Sequence, residues 1–208
     1  MRDVRPWYSL GIPLGSMLLF LAVAIASPAA YRAYVRKHET GIQEHGTIAC
    51  LVPAVVLGVL AFRRRRELPS RWLGAWCALL AVGALYFAGE ECSWGQNYLH
   101  WATPAQWSTI NDQHETNLHN TSTLLDHAPR ALLSLGAGVC AIVPIMLKWR
   151  RARWDPATNP WAWFWPTMAV VPAAALATLV GVPQKLHGVY EKSAAASQTW
   201  YGELFLDG

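Results

Sequence analysis

Glutamate and histidine side chains in one short stretch carry the chemistry this chain can offer. Glu90 and Glu91 follow directly on an apolar run that ends in Phe87, Ala88 and Gly89, and Glu115 and His119 come soon after in NDQHETNLHN (111–120). An ionised carboxylate at membrane depth costs a few kcal/mol, so such a group faces protein and meets a cation, a metal or a proton there. Adjacent helical residues point about 100° apart, so one of Glu90 and Glu91 faces inward. Trp94 and Gly95, one turn on, select Glu91. Glu115 and His119 stand at i and i+4, which on a helix puts both on one face with Cβ atoms about 5–6 Å apart. Such a pair can clamp a metal or act as base and orienter. His187 and Glu191 repeat the spacing beyond the last apolar run, and Glu44 and His45 open the second one. The candidate catalytic residues are therefore Glu91, Glu115 and His119. The candidate metal ligands are the same three with His187 and Glu191, a mixture of oxygen and imidazole that suits zinc, iron or manganese.

Other chemistries find less support. His114 and His119 make a HExxxH spacing, and the extra residue turns the second histidine about 100° away from the HExxH geometry of zinc proteases. Ser93 precedes Trp94-Gly95 with no G-x-S-x-G elbow, so a serine nucleophile would need a Ser-His-Glu set assembled in space. No glycine-rich phosphate loop and no CxxC occurs. Cys50, Cys77 and Cys140 lie within apolar runs, where a thiol behaves as a small hydrophobe. A structural reading competes with the functional one. Gln96, Asn111, Gln113, Asn117 and Asn120 can satisfy the backbone of a re-entrant segment, and Glu91 can pair with Arg130.

The elements that must hold these residues are helices. Over 208 residues, 53% are hydrophobic and only 14% charged, about half the globular norm of roughly a quarter. The charges cluster and leave runs long enough to cross about 30 Å of hydrocarbon. The chain reads as one all-α membrane domain, 1–208, with spans near 7–30, 47–62, 71–89, 131–147 and 161–182. A polar re-entrant or interfacial loop, 89–128, joins the third and fourth spans. The first run is longer than the apolar part of a signal peptide, which favours a retained span over cleavage after Ala26. The third is rich in Gly and Ala and belongs in the middle of the bundle. Thr103-Pro104 reads as an N-cap followed by Pro at the first helical position, with Trp107, Ile110 and His114 on one helix face.

Charge gives the orientation. Arg2, Arg5, Arg63 to Arg66, Arg71, Lys148, Arg150, Arg151 and Arg153, eleven of the seventeen basic residues, fall at alternate span ends. By the positive-inside rule those ends are cytoplasmic, as is the N-terminus. All seven histidines then fall on the outer side, a result not put into the assignment. The net charge of +4 is a topology signal rather than a nucleic-acid footprint, because the arginines do not line one face. The expected partners are the lipid bilayer and other membrane subunits.

The blocks GEECSWGQ (89–96) and NDQHETNLHN (111–120) resemble a bacterial integral-membrane family marked by E-E-x-x-W-G-Q and N-x-Q-x-E-x-N-L-H-N. The resemblance covers about 30 of the 208 residues and implies a bacterial inner-membrane location. It nominates Glu90, Glu91, Trp94, Gln96, Asn111, Gln113, Glu115, Asn117, His119 and Asn120, and names no reaction. The expectation is a metal-dependent membrane enzyme acting on a lipid or other amphipathic substrate at the outer face. The alternative is a non-catalytic subunit or assembly factor of a larger membrane complex.

Overall fold

Long apolar runs have to satisfy their backbone internally if they enter lipid, and helices do so residue by residue. The computed structural model describes residues 7–37, 41–111 and 115–182, with His119 in its backbone alone. Five helices are long and apolar enough to cross a membrane: α1 (Trp7–Ala26), α2 (Ile42–Arg63), α3 (Arg71–Glu91), α4 (Thr123–Arg151) and α5 (Trp161–Val182). No strand occurs among the described residues. The chain is an all-helical, multi-pass membrane protein.

Local chemistry moves several boundaries from those expected. α1 stops at Ala26 because Ser27 leaves helical geometry (φ −151°, ψ 87°) ahead of Pro28. α2 starts at Ile42, ahead of the expected Thr47, because the Glu44 carboxylate accepts the Gly41 amide at 3.3 Å and closes the first turn. α4 starts at Thr123, well before residue 131. There the Ser122 hydroxyl accepts the Leu125 amide at 3.3 Å, an N-cap that satisfies one orphan donor. Residues 123–128, expected in the polar loop, are therefore helical. At 1.5 Å per residue the 29-residue α4 is about 43 Å long and outlasts the hydrocarbon. α5 is interrupted after Trp161–Phe164, where Pro166 cannot continue the ladder, and resumes after a short 3₁₀ turn at Met168–Val170.

α3 is the centre of the packing. Leu73, Gly74, Ala81, Ala88, Gly89 and Glu90 are buried along it, whereas α1 and α2 bury no residue of their own. At its arginine-bearing end, Trp72 and Trp76 lie 5.5 and 5.0 Å from the Phe164 ring, and Trp72 lies 5.7 Å from Trp161, pinning α5 beside α3. At the other end His45 of α2 meets Tyr98 edge-on at 5.7 Å. The arginine runs and the glutamate-rich stretch thus sit at opposite ends of the bundle.

α2 and α3 approach through small residues. A Cβ on Gly58 would fall 2.8 Å from the Ala81 Cβ and 2.9 Å from the Cys77 carbonyl. Gly58→Ala should lower stability by about 1–3 kcal/mol, as overpacking does, and show as a fall in the melting temperature in detergent. Gly83→Ala is the control: its Cβ meets nothing within 4 Å, so helix propensity should leave it neutral or better.

Candidate functional site

The site begins where α3 runs out of apolar sequence. Ser93, Trp94 and Gly95 all take positive φ (47°, 57° and 103°), and His100 follows at 56°. Left-handed geometry costs a non-glycine residue about 1–2 kcal/mol, so other contacts must hold this turn. One is the Trp94 indole, which folds back over Gly89, where a Cβ would meet the ring at 2.8 Å. Its Nε1–H donates to Glu90 Oε1 at 2.8 Å. The other Glu90 oxygen accepts the Leu118 amide at 2.8 Å. Glu90, 5% exposed, therefore ties the end of α3 to the far side of the loop.

A second carboxylate closes the same loop from below. Glu115 Oε2 accepts the Ser93 hydroxyl at 2.6 Å and also the Asn117 side-chain amide. Asn117 donates again to Ser93 Oγ at 3.1 Å. Asn111 donates to the Asn117 backbone and side-chain oxygens at 2.9 and 2.8 Å, while its own oxygen accepts the Glu115 amide at 3.2 Å. Gln96 accepts both the amide and the hydroxyl of Thr116, at 2.8 and 2.9 Å, and donates to Thr103 Oγ1 at 2.7 Å. Ser93, Asn97, Asn111, Glu115 and Asn117 are all buried. Residues 93–103, Asn111 and residues 115–118 form one hydrogen-bonded knot.

Glu91 has a different setting. It lines a cleft of about 160 Å³ between α3 and α4 with Glu90, Asp126 and Arg130. Arg130 Nη2 lies 2.6 Å from Asp126 Oδ1, an i,i+4 pair. Tyr86, Phe87, Pro129 and Leu133 continue from this mouth into an apolar groove of about 430 Å³ alongside Leu132 and Gly136. Carboxylates and one guanidinium thus sit at the head of a hydrocarbon-lined slot.

Several expectations change. The inward glutamate is Glu90; Glu91 is half-buried at the cleft, because α3 presents residue 90, not 91, toward the loop that donates to it. Glu115 and His119 do not share a helix. Residues 115–118 bend around the Asn111 and Gln96 side chains, and His119 opens a short 3₁₀ turn. The helical spacing that paired them therefore does not apply. The helix after Thr103 is only Ala105–Ser108, with Pro104 as its cap residue, and Asn111 turns into the knot. Ser93 does meet a carboxylate, but its hydroxyl is engaged on both sides and 1% exposed, which disqualifies it as a nucleophile. Glu44 caps α2, and His45 Nδ1 lies 2.9 Å from the Gly41 carbonyl. Burial pushes the neighbouring Tyr98 phenol above its ordinary range, with Cys92 and Glu44 adding to the effect, so it stays protonated at neutral pH.

Among the described residues, no three His, Cys, Asp or Glu side chains gather to hold a metal ion. His114, His187, Glu191, Gln113 and the His119 side chain lie outside the described residues. The sequence reading missed Asp126 altogether and weighed Ser93 only as a nucleophile, not as a member of the knot. Asp126 had a signal in its i,i+4 spacing to Arg130, whereas Ser93 had none, because its role depends on a left-handed turn.

Glu90→Gln should cost about 1–3 kcal/mol, since one amide oxygen cannot accept from both Trp94 and Leu118 and a donor is left buried. Asn111→Asp should cost at least as much, because it sets an oxygen against both Asn117 acceptors. Thermal unfolding in detergent with tryptophan fluorescence checks both. Unchanged melting would remove the knot as a source of stability. Compared with protein-family models, curated proteins and solved structures, the chain matches none, so its function has to be read from this chemistry.

Proposed function

We propose that the protein is a membrane-embedded enzyme that takes a lipid or other amphipathic molecule into the cleft between α3 and α4. The observation that carries this reading is the continuity of the charged mouth at Glu91, Asp126 and Arg130 with the apolar groove beside Phe87, Leu132 and Leu133. An amphiphile needs both parts at the depth where headgroups meet hydrocarbon, and ligand sites combine apolar walls with a few placed polar groups. The division of labour among the glutamates supports it. Glu90 and Glu115 are committed to donors of the knot, while Glu91 stands at the cleft. Glu91 is then the general acid or base, and the Asp126–Arg130 pair orients the polar head. Positioned proton transfer of this kind is worth about 10²–10⁴-fold in rate.

A metal-dependent form of the same reading uses Glu91 with His119, His187 and Glu191, binding zinc, iron or manganese. Glu115 is the weaker ligand, because one of its oxygens already accepts two hydrogen bonds. The sealed knot favours a second reading, a non-catalytic subunit or assembly factor whose polar cluster fixes the loop for a partner.

Purification in mild detergent followed by lipid analysis separates these readings. The first predicts an amphiphile enriched over the bulk extract and displaced by Leu133→Trp. It also predicts that turnover of that amphiphile falls about 10²-fold or more in Glu91→Gln, with melting unchanged. Elemental analysis of the same sample decides the metal form, which requires close to one equivalent lost in Glu91→Gln. A stable protein partner with no enriched amphiphile would instead establish the second reading.

The bacterial inner membrane, a cytoplasmic N-terminus and an outward-facing cleft belong to this proposal and rest on the distribution of arginine. Reporter fusions after Arg66 and after Asn120 should report opposite sides. The same side for both would overturn the orientation.

A further inference from the structure

The end of the bundle opposite the cleft holds a second cavity, of about 420 Å³, between the last turns of α4 and the segment that leads into α5. Pro144, Lys148 and Arg151 of α4 line it with Ala152 just beyond the helix, and the spacing of four and three residues puts the first three along one helix face. The face changes character along its length. Pro144 is buried and apolar, whereas Lys148 and Arg151 stand nearer the helix end; Ala162, Met168 and Trp154 line the same cavity.

Arg151 is fixed rather than free in solvent. Its two terminal nitrogens donate to the Pro166 carbonyl at 2.5 Å and the Ala162 carbonyl at 2.9 Å. Those carbonyls lie at the break in α5, where the helix leaves them without a ladder partner. Carbonyls orient the guanidinium but do not neutralise it, and three of its five donors remain for a ligand. Neither Arg151 nor Lys148 makes an ion pair among the described residues. The carboxylate of the same loop, Asp155, is turned to the Ala157 amide at 2.9 Å and the Thr158 hydroxyl at 3.3 Å, and does not line the cavity. Two cations therefore face one cavity with no counter-charge among the described residues that line it, and hydrophobic surface begins about one helical turn deeper.

We propose that this cavity binds the phosphate of an anionic phospholipid, with Lys148 and Arg151 on the phosphate oxygens and the first acyl carbons against Pro144 and Met168. Phosphate matches the fork of a fixed arginine. A basic pocket between transmembrane helices at the arginine-rich membrane face is where an anionic headgroup is available. The apolar inner wall selects a lipid over a free anion, which would leave that surface unfilled. Arg150 and Arg153 flank the site without lining it and raise the local potential. The site is independent of the cleft between α3 and α4.

Native mass spectrometry of the full chain in mild detergent, titrated with phosphatidylglycerol or phosphatidylcholine, tests the assignment. Wild type should bind phosphatidylglycerol in preference to phosphatidylcholine. Lys148→Gln should weaken phosphatidylglycerol about fivefold, the worth of one basic group near a membrane surface, while Lys148→Arg restores it. Arg150→Gln removes the same charge from the same helix outside the cavity and should change binding less than about twofold. Equal loss in Lys148→Gln and Arg150→Gln would show bulk attraction to a basic membrane face and overturn the site. So would equal binding of the two lipids, or full displacement by millimolar inorganic phosphate. Lys148 is exposed and makes no side-chain hydrogen bond or ion pair among the described residues, so Lys148→Gln should melt as wild type does. Arg151→Lys, which keeps the charge and loses the fork, should fall between wild type and Lys148→Gln.

Discussion

A carboxylate at the end of an apolar helix has to be given hydrogen-bond donors, and the rest of this molecule's polar end is arranged to supply them. Glu90 stands on the last turn of α3 with almost no exposure and takes one donor from Trp94 and another from Leu118. These two bonds decide where the chain goes next. The first folds the indole over Gly89 and fixes the left-handed turn at 93–95; the second brings residues 115–118 back onto α3. Once they are adjacent, Ser93, Glu115, Asn117 and Asn111 can satisfy one another in a site with little access to water, where an unmade hydrogen bond costs about 1–3 kcal/mol. Strain in the turn, about 1–2 kcal/mol for each left-handed side chain, is offset by this network.

The knot brings donors to Glu90 and Glu115, and Glu91 lines the cleft. Glu91, one residue along the helix from Glu90, points toward α4 and shares a cleft with Asp126 and Arg130. The early start of α4 matters here. Its Ser122 cap lifts Asp126 and Arg130 into the first two turns of the helix, level with the end of α3, above the apolar groove that both helices enclose. The two ends of the bundle then differ in kind. One carries carboxylates over an apolar slot, and the other carries Lys148 and Arg151, which make no ion pair among the described residues, beside an apolar wall.

The helices were legible in the sequence because they depend on composition. Five runs of lipid-compatible length gave five helices, and the small residues of the third did place it centrally. The partition of arginine and glutamate to opposite ends was equally visible. The starts of α2 and α4 were not, since each is set by a single side chain, Glu44 or Ser122, that captures an amide outside the apolar run. The site was legible as a collection of residue types and not as an arrangement. Periodicity assumes a helix, and 115–118 is held by side chains of Gln96 and Asn111 instead, so the i,i+4 argument for Glu115 and His119 had no helix to act on. Choosing between Glu90 and Glu91 needed the position of Leu118, 28 residues away.

The amphiphile proposed for the cleft between α3 and α4 would have its head at Glu91 and Arg130. A high-resolution structure of the full chain in nanodiscs made with native lipid extract tests this placement most directly. The expected result is elongated density in the groove beside Phe87 and Leu133 that ends in a polar head within hydrogen-bond distance of Glu91 or Arg130. Closed helices with Glu91 and Arg130 in direct contact, and no density between them, would contradict it.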